Sequence, residues 1–393
     1  MRKFARITGI VLLNIIVIAV LLEILLRLTA PILPGSAGVA ARWVTTGKPF
    51  AQDWTPAWQQ NRDHYWALRP NLDNVLQYGS PTVSFRLSTA ELWEGGGIGF
   101  RATVPIDYEV HSVVVGDSFG MCFTERADCW VEQLAGNLGQ NIVNLSQPVT
   151  GTSSHLRILR DFGQPLQPPL VIWQFFGNDF NDDYGLAVFR EEIESLEDEA
   201  DTVQSTEARA WTALYAVLET LITGRFSGVP DSEAAFIKPY RATYGDNNEN
   251  VLQFGGAYEL QALDMSREQN QIGYALSQDS FAEAQNLVST WDGELVVVII
   301  PTREEVYADI TIPMMGETEI ARLQSARDAM HTICNEVELH CFDLYDTFQE
   351  YAQNGEALYY ADDMHLNPYG NAVLAEALAI WLHDNDIVSA NDG

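Results

Sequence analysis

Hydrophobic positions along this chain fall into one long run and a set of short ones. From Ile7 to Leu28 the stretch "ITGIVLLNIIVIAVLLEILLRL" is apolar except for Asn14, Glu23 and Arg27, long enough as a helix to cross roughly 30 Å of hydrocarbon. Glu23 and Arg27 stand four apart, on one helical face near the far end, where they can pair or reach the interface. Further on, "HSVVVGD", "NIVNLSQ", "LVIWQFFG", "ELVVVIIP" and "HCFDLYD" are short runs dense in Val, Ile, Leu and Phe, bounded by Gly, Pro or Asp. Continuous apolar runs of that length read as strands covered on both faces. Between and after them, residues 129–138, 153–162, 280–291, 318–337 and 368–383 carry helical patterns. The last opens on Asn367 as a cap and Pro368 at the first helical position.

Strands alternating with helices predict an α/β three-layer sandwich around a five-stranded parallel, flavodoxin-like sheet, with its site at the C-terminal strand ends. An N-terminal transmembrane helix precedes it. The boundaries read as an anchor over 1–30, an irregular layer over 31–110 rich in Pro, Gly, Trp and Tyr, and the α/β domain over 111–393. Within the irregular layer, "TVSFRLST" and "GIGFRATV" flank Glu94-Gly95-Gly96-Gly97 and predict a β-hairpin. The α/β rhythm breaks over about 182–292, an insertion that starts with the acidic run "REEIESLEDEADT" and holds an apolar helical stretch near Trp211–Leu221. So long an insertion reads as a lid, a substrate-binding subdomain or an oligomer contact.

Charge narrows the partners. A formal charge of −32 over 393 residues disfavours nucleic acid, whose phosphates call for basic patches. The few basic residues matter at the start: Arg2, Lys3 and Arg6 precede the apolar run and predict a cytoplasmic N-terminus with the rest extracytoplasmic. A cleaved signal peptide is the rival reading, but its apolar region should be about half as long and end at a small-residue site. Cys122 with Cys129 and Cys334 with Cys341 are two close pairs, spaced to form local disulfides in an oxidising compartment, with buried free thiols as the alternative. No His/Cys/Asp cluster has metal-ligand spacing, so neither metal nor cofactor is implied.

Four blocks carry candidate chemistry. The first strand ends at Gly116-Asp117-Ser118, a turn that would hold a hydroxyl at the sheet rim. The second leads to Gly151 and the third to Gly177-Asn178-Asp179, which place a backbone N–H and a carboxamide where they could meet a developing oxyanion. After the fifth strand, "YYADDMHLNPYG" puts Asp362 and Asp363 just ahead of His365, so one loop can supply both a base and the carboxylate that orients it.

This order resembles the GDSL-type hydrolases, also called the SGNH superfamily, in membrane-anchored bacterial form. The resemblance runs from about Val113 to Trp381 with the insertion set aside. It implies Ser118 as nucleophile, an oxyanion hole from Ser118, Gly151 and Asn178, and an acid and base from Asp362 and His365, the family spacing favouring Asp362 over Asp363. One departure is visible, since the third block of the family reads Gly-x-Asn-Asp and Phe176 stands in the glycine place. "PTREEVY" after the fourth strand is similar to a segment of alginate-acetylating members. The expected activity is Ser-His-Asp esterase chemistry on a small-molecule or glycan ester. The alternatives are an O-acyltransferase acting on a cell-envelope or secreted polysaccharide and a silent glycan-binding scaffold.

Overall fold

The computed structural model describes residues 2–33, 35–46, 57–61, 63, 65–78, 83–196, 212–223, 238–245 and 249–388. Five strands form one parallel sheet: β5 (Ser112–Val115), β6 (Ile142–Asn144), β7 (Leu170–Phe175), β10 (Glu294–Ile299) and β11 (His340–Asp343), in the spatial order β11-β10-β7-β5-β6. Numbered within the domain this is 2-1-3-4-5, the flavodoxin-like order that the strand pattern implied. Every residue of β5 and β7 is buried, because helices cover both faces of the sheet.

Right-handed crossovers divide those helices between the faces. On one side α4 (Trp130–Leu138) packs on α14 (Pro368–Asp384); on the other lie α5 (Thr152–Ile158), α6 (Asp179–Phe189), α9 (Glu268–Ser289) and α12 (Glu317–Val337). Asn367 caps α14 by accepting the Gly370 N–H at 2.9 Å, as its sequence predicts. Both cysteine pairs are disulfides, Cys122–Cys129 and Cys334–Cys341. The first ties the segment after Ser118 to the start of α4.

Two expected boundaries differ from the observed ones. The insertion predicted over 182–292 is shorter, because α6 and α9 pack on each other and on the α/β domain, α9 also against β10. The inserted part is therefore 190–267. It contains α7 (Ala213–Thr223), the hairpin β8 (Tyr240–Tyr244) with β9 (Asn250–Phe254), and the short α8 (Ala257–Ala262). Of the acidic run, residues 197–202 lie outside the described residues, as does 211 of the apolar stretch.

The predicted hairpin also pairs differently. Strand β4 (Ser84–Leu87) pairs with β3 (Val75–Tyr78), and the segment beyond the glycine turn contributes only the bridge Ala90–Phe100. The reason lies at Gly99, whose N–H donates to Leu68 O at 2.9 Å and where a Cβ would stand 2.3 Å from Arg69 O. That close approach draws the chain onto β2 (Tyr65–Leu68), itself paired with β1 (Trp58–Asn61), and away from β4.

From there the N-terminal layer locks onto the α/β domain. Gln147 accepts the Leu68 N–H at 2.8 Å and donates to Gly99 O at 3.0 Å. Buried Arg101 donates to the carbonyls of Met121 (2.8 Å), Cys122 (2.7 Å) and Thr124 (3.1 Å), closing the end of the turn that starts at Ser118. Burial lowers the Arg101 pKa to about 10, which still leaves it charged at neutral pH. Arg101→Met should therefore leave three carbonyls without their donor and cost about 3 kcal/mol of unfolding free energy, read by urea titration against the native chain.

Candidate active site

The polar end of β5 is held by a polar residue near the C-terminal end of β7. Gln174 is buried, and its Oε1 accepts the N–H groups of Asp117 and Gly120, both at 3.0 Å. Asp117 caps the short α3 (Ser118–Met121) by accepting the Phe119 N–H at 2.8 Å. The fit leaves no room for side chains. A Cβ at Gly116 would stand 2.4 Å from Gln174 Oε1, and one at Gly120 2.2 Å from Ser146 Oγ. Ser118 takes the first helical position, where a backbone N–H has no acceptor within its own helix.

Across the crevice, His365 Nε2 lies 2.7 Å from Ser118 Oγ. Its Nδ1 lies 2.5 Å from Asp363 Oδ1, which also accepts the His365 backbone N–H at 2.9 Å. The carboxylate on the imidazole is thus Asp363, and the expectation for Asp362 is corrected. A two-residue separation lets one oxygen close an Asx-type turn and meet the ring at once. Asp362 instead sits where its charge acts on Arg42 and Lys238. Burial works to raise the Asp363 pKa, but His365 and, further off, Lys238 outweigh it and hold the pKa below the ordinary value, so Asp363 is an anion at neutral pH. Phe123 stacks on the imidazole with centroids 4.0 Å apart, and Tyr360 donates to Phe123 O at 2.9 Å, so the ring is clamped on its face as well as its edge.

Asn178 and Gly151 approach from the next two strand ends. Asn178 follows β7, beside β5 in the sheet, and its side chain reaches Asp117. A Cβ on Gly151 would lie 2.6 Å from Asp179 O, so the loop after β6 touches the loop that bears Asn178. Asn178 Nδ2 donates to Asp182 Oδ2 at 3.0 Å and to Tyr258 OH at 3.3 Å, while its Oδ1 is buried without a hydrogen-bond partner among the described residues. Tyr258 in turn donates to Asp182 Oδ1 at 3.3 Å. At Gly177, a Cβ would stand 2.4 Å from Leu263 Cδ2, which explains a glycine at that place although Phe176 occupies the position of the family glycine.

Acids surround these donors. Asp117, Asp179, Asp182 and Asp183 are all buried; burial raises the pKa of Asp117 to about 6, of Asp183 to about 7 and of Asp182 to about 8, and takes Asp179 well above its ordinary value. Repulsion among them adds to the shifts of Asp179 and Asp182. Asp183 is braced by the Ser153 N–H at 2.7 Å and Ser277 Oγ at 2.5 Å.

Behind the catalytic loop stands a layer that the motifs did not reveal. Arg303 of "PTREEVY" donates to Asp363 O at 2.7 Å and approaches Glu259 Oε1 at 3.4 Å. Glu259 also pairs with buried Lys238. The Gln253 N–H donates to Ala361 O at 2.7 Å. Lys238, Gln253, Tyr258 and Glu259 all come from the insertion, so that segment buttresses the site. Gln174 and Arg303 carried one legible signal, a polar residue inside or directly after an apolar strand; Tyr258 carried none.

Residues 262–391 match the family model described as the SGNH hydrolase-like domain of acetyltransferase AlgX. Over those residues the chain is similar to an SGNH hydrolase-like domain. The matched segment takes in Arg303, Asp363 and His365 and leaves out Ser118 and Asn178. No curated protein matches the chain. Among solved structures, LAE5, an α/β hydrolase from the metagenome of Lake Arreo, is 13% identical with a TM-score of 0.38, over 71% of this chain and 96% of its own. The lipase/acylhydrolase of Enterococcus faecalis is 10% identical with a TM-score of 0.38, over 72% and 100%. Identities and TM-scores this low say nothing of this chain's substrate.

The buried acids of the α/β domain set a pH dependence of stability. Each has a folded pKa above its unfolded value near 3.8, so the folded state holds more protons and stability falls as pH rises from about 4 toward 8. Thermal unfolding followed by circular dichroism should give a higher Tm at pH 5 than at pH 8.5, and Asp183→Asn should flatten that difference.

Proposed function

We propose that this protein is a membrane-anchored, extracytoplasmic SGNH enzyme that moves an acyl group from an O-acyl ester through Ser118. The observation that carries the reading is the continuous relay from Ser118 Oγ to His365 Nε2 and from His365 Nδ1 to Asp363 Oδ1, at 2.7 and 2.5 Å. His365 takes the Ser118 proton as Oγ attacks the ester carbonyl, and ionised Asp363 stabilises the imidazolium. The oxyanion is received by the Ser118 and Gly151 N–H groups and by Asn178 Nδ2, which exchanges its 3.3 Å bond to Tyr258 OH for it. Imidazolium then gives its proton to the departing alkoxide, leaving the acyl group on Ser118. A second hydroxyl, deprotonated by His365, attacks that acyl-enzyme and restores the serine.

The second hydroxyl distinguishes two readings. With water the protein is an esterase; with a sugar hydroxyl it is an O-acyltransferase of a cell-envelope or secreted polysaccharide. The AlgX acetyltransferase match over 262–391 favours the transferase as the second reading. An intact relay counts against a silent scaffold.

Anchoring rests on α1 (Arg2–Thr29), which forms most of a span over Thr8–Ile32 with mean hydropathy 2.9; its 18-residue apolar window has no buried residue, while Ala30 at the far end of the span is buried. A signal sequence passes the same test of length and composition. Retention is supported by Glu23, whose carboxylate accepts the Ala213 and Leu214 N–H groups at 3.0 and 2.8 Å. Cleavage after α1 would strip the cap from α7.

A chromogenic acetate ester should be turned over with a burst, and Ser118→Ala should lower that turnover at least about 10³-fold and abolish fluorophosphonate labelling. Native protein with neither activity nor labelling would end both enzyme readings. Asp363→Asn should lower kcat about 10³- to 10⁴-fold, whereas Asp362→Asn should change it by no more than about tenfold. Equal losses in the two variants would contradict the assignment of Asp363. Acetyl transfer to an added oligosaccharide, followed by mass spectrometry, separates transferase from esterase.

A further inference from the structure

Helix α7 is apolar except for Thr220 in its buried stripe, half-buried Glu219 at the edge of its outer face and Thr223 at its end, and its large residues face outward. Its buried stripe is Ala213, Ala216, Val217 and Thr220, while Tyr215 (44% exposed), Leu218 (48%), Leu221 (69%) and Ile222 (80%) point away from the protein. A soluble amphipathic helix has the opposite arrangement, with bulky apolar residues inward and polar ones outward. The stripe packs on α2 (Gly35–Thr46), which likewise buries Ala40, Ala41 and Val44, and a small cluster of Ala30, Ala41 and Val217 joins α7 to the end of the apolar span. Small residues between helices with large apolar side chains outside is the pattern of helices that pack in lipid.

Three hydroxyl groups and one carboxylate of this unit agree. Thr29, Thr45 and Thr220 each return their hydroxyl to the carbonyl four residues back, at 2.8, 2.7 and 2.7 Å, so none needs water. Glu23, inside the span, both pairs with Arg27 at 2.6 Å and caps the first turn of α7. That cap fixes the start of α7 at the depth of Glu23, nine residues before the end of the span at Ile32, or about 13 Å along the helix. With 11 residues, α7 is about 16 Å long, enough to enter one leaflet and too short to cross a bilayer.

We infer that α7 is a second membrane element, embedded in the leaflet on the catalytic side of the membrane, with Tyr215, Leu218, Leu221 and Ile222 against lipid. This rests on the reading of α1 as a retained anchor. The exposed face of α7 is continuous with the lipid-facing surface of α1, which identifies the bilayer as its occupant. Two attachments, one spanning and one half-embedded, would stop the SGNH domain from swinging on a single tether and hold one side of it at the headgroups.

The test uses the full chain in phosphatidylcholine vesicles. All four cysteines are in disulfides, so a cysteine introduced by Leu221→Cys or Leu218→Cys is the one free thiol and takes an environment-sensitive fluorophore. Ile16→Cys reports on α1, and Glu317→Cys, exposed on the far helical layer, is the aqueous control. Brominated phosphatidylcholine should quench the probes at 16, 218 and 221 at least twofold and leave the one at 317 unchanged. Quenching at 16 but not at 218 or 221 would overturn the inference and keep the anchor. No quenching at any of the three would remove the anchor as well. If lipid leaves 218 and 221 unquenched but native membranes shield them from aqueous iodide, a protein partner covers α7 and the lipid assignment falls.

Discussion

The hydrogen bond between Ser118 Oγ and His365 Nε2 joins residues 247 positions apart, and nearly every unusual feature nearby serves to hold its two ends still. The serine stands on a sheet strand whose end is pinned by Gln174 from the neighbouring strand. The imidazole stands on a loop, which has no comparable scaffold of its own. That loop is fixed from three directions: Arg303 on the Asp363 carbonyl, Gln253 on the Ala361 carbonyl, and Tyr360 on the Phe123 carbonyl. A relay needs both ends placed to within a fraction of an ångström. Here the rigid end is provided by strand pairing and the other by side chains gathered from distant parts of the chain.

Location follows from topology. Strands β5 and β7 are adjacent, yet the connections leaving them run toward opposite edges of the sheet, which opens a crevice at their C-terminal ends. Ser118 and Asn178 are the residues that follow those two strands, and Gly151 enters from the loop after β6. Helix packing on both faces excludes water from the crevice floor. The same exclusion raises the pKa of Asp179, Asp182 and Asp183, because an ionised carboxylate there would be desolvated and, at Asp179 and Asp182, repelled as well. Asp363 escapes this fate because the His365 imidazole and backbone N–H bond to it directly.

The insertion and the N-terminal layer are parts of the machinery. From the insertion come Lys238, Tyr258 and Glu259; from the layer come Arg101 and, beside Asp362, Arg42. Charges from Lys238, Glu259, Arg303 and Glu304 are buried together, and in such a network each ion is tolerable only while its partners stay in place. The apolar helix α1, the insertion and the loop that bears Asp363 and His365 are therefore mechanically connected: α1 caps α7, α2 packs on α7, and Arg42 of α2 feels the charge of Asp362.

Local sequence determined much of this protein. Apolar runs specified the strands because a strand covered on both faces is apolar at nearly every position; Ser118 and Asn178 were legible as polar residues just past such runs, and His365 by the acidic pair ahead of it in its loop. Close cysteine spacing limited each to its near neighbour. Tertiary structure decided what depends on contacts between remote segments. Asp362 and Asp363 are indistinguishable by composition, and only the path of the loop under Arg303 aims Asp363 at the ring. The glycine turn at 94–97 suggested a hairpin, but Gly99 found a closer partner in the backbone near Arg69. Tyr258 lies 80 residues from Asn178, and no periodicity in either segment encodes their meeting. Patterns of a few residues record burial and turn chemistry, which are local; the aim of a side chain is set by whatever the fold packs behind it.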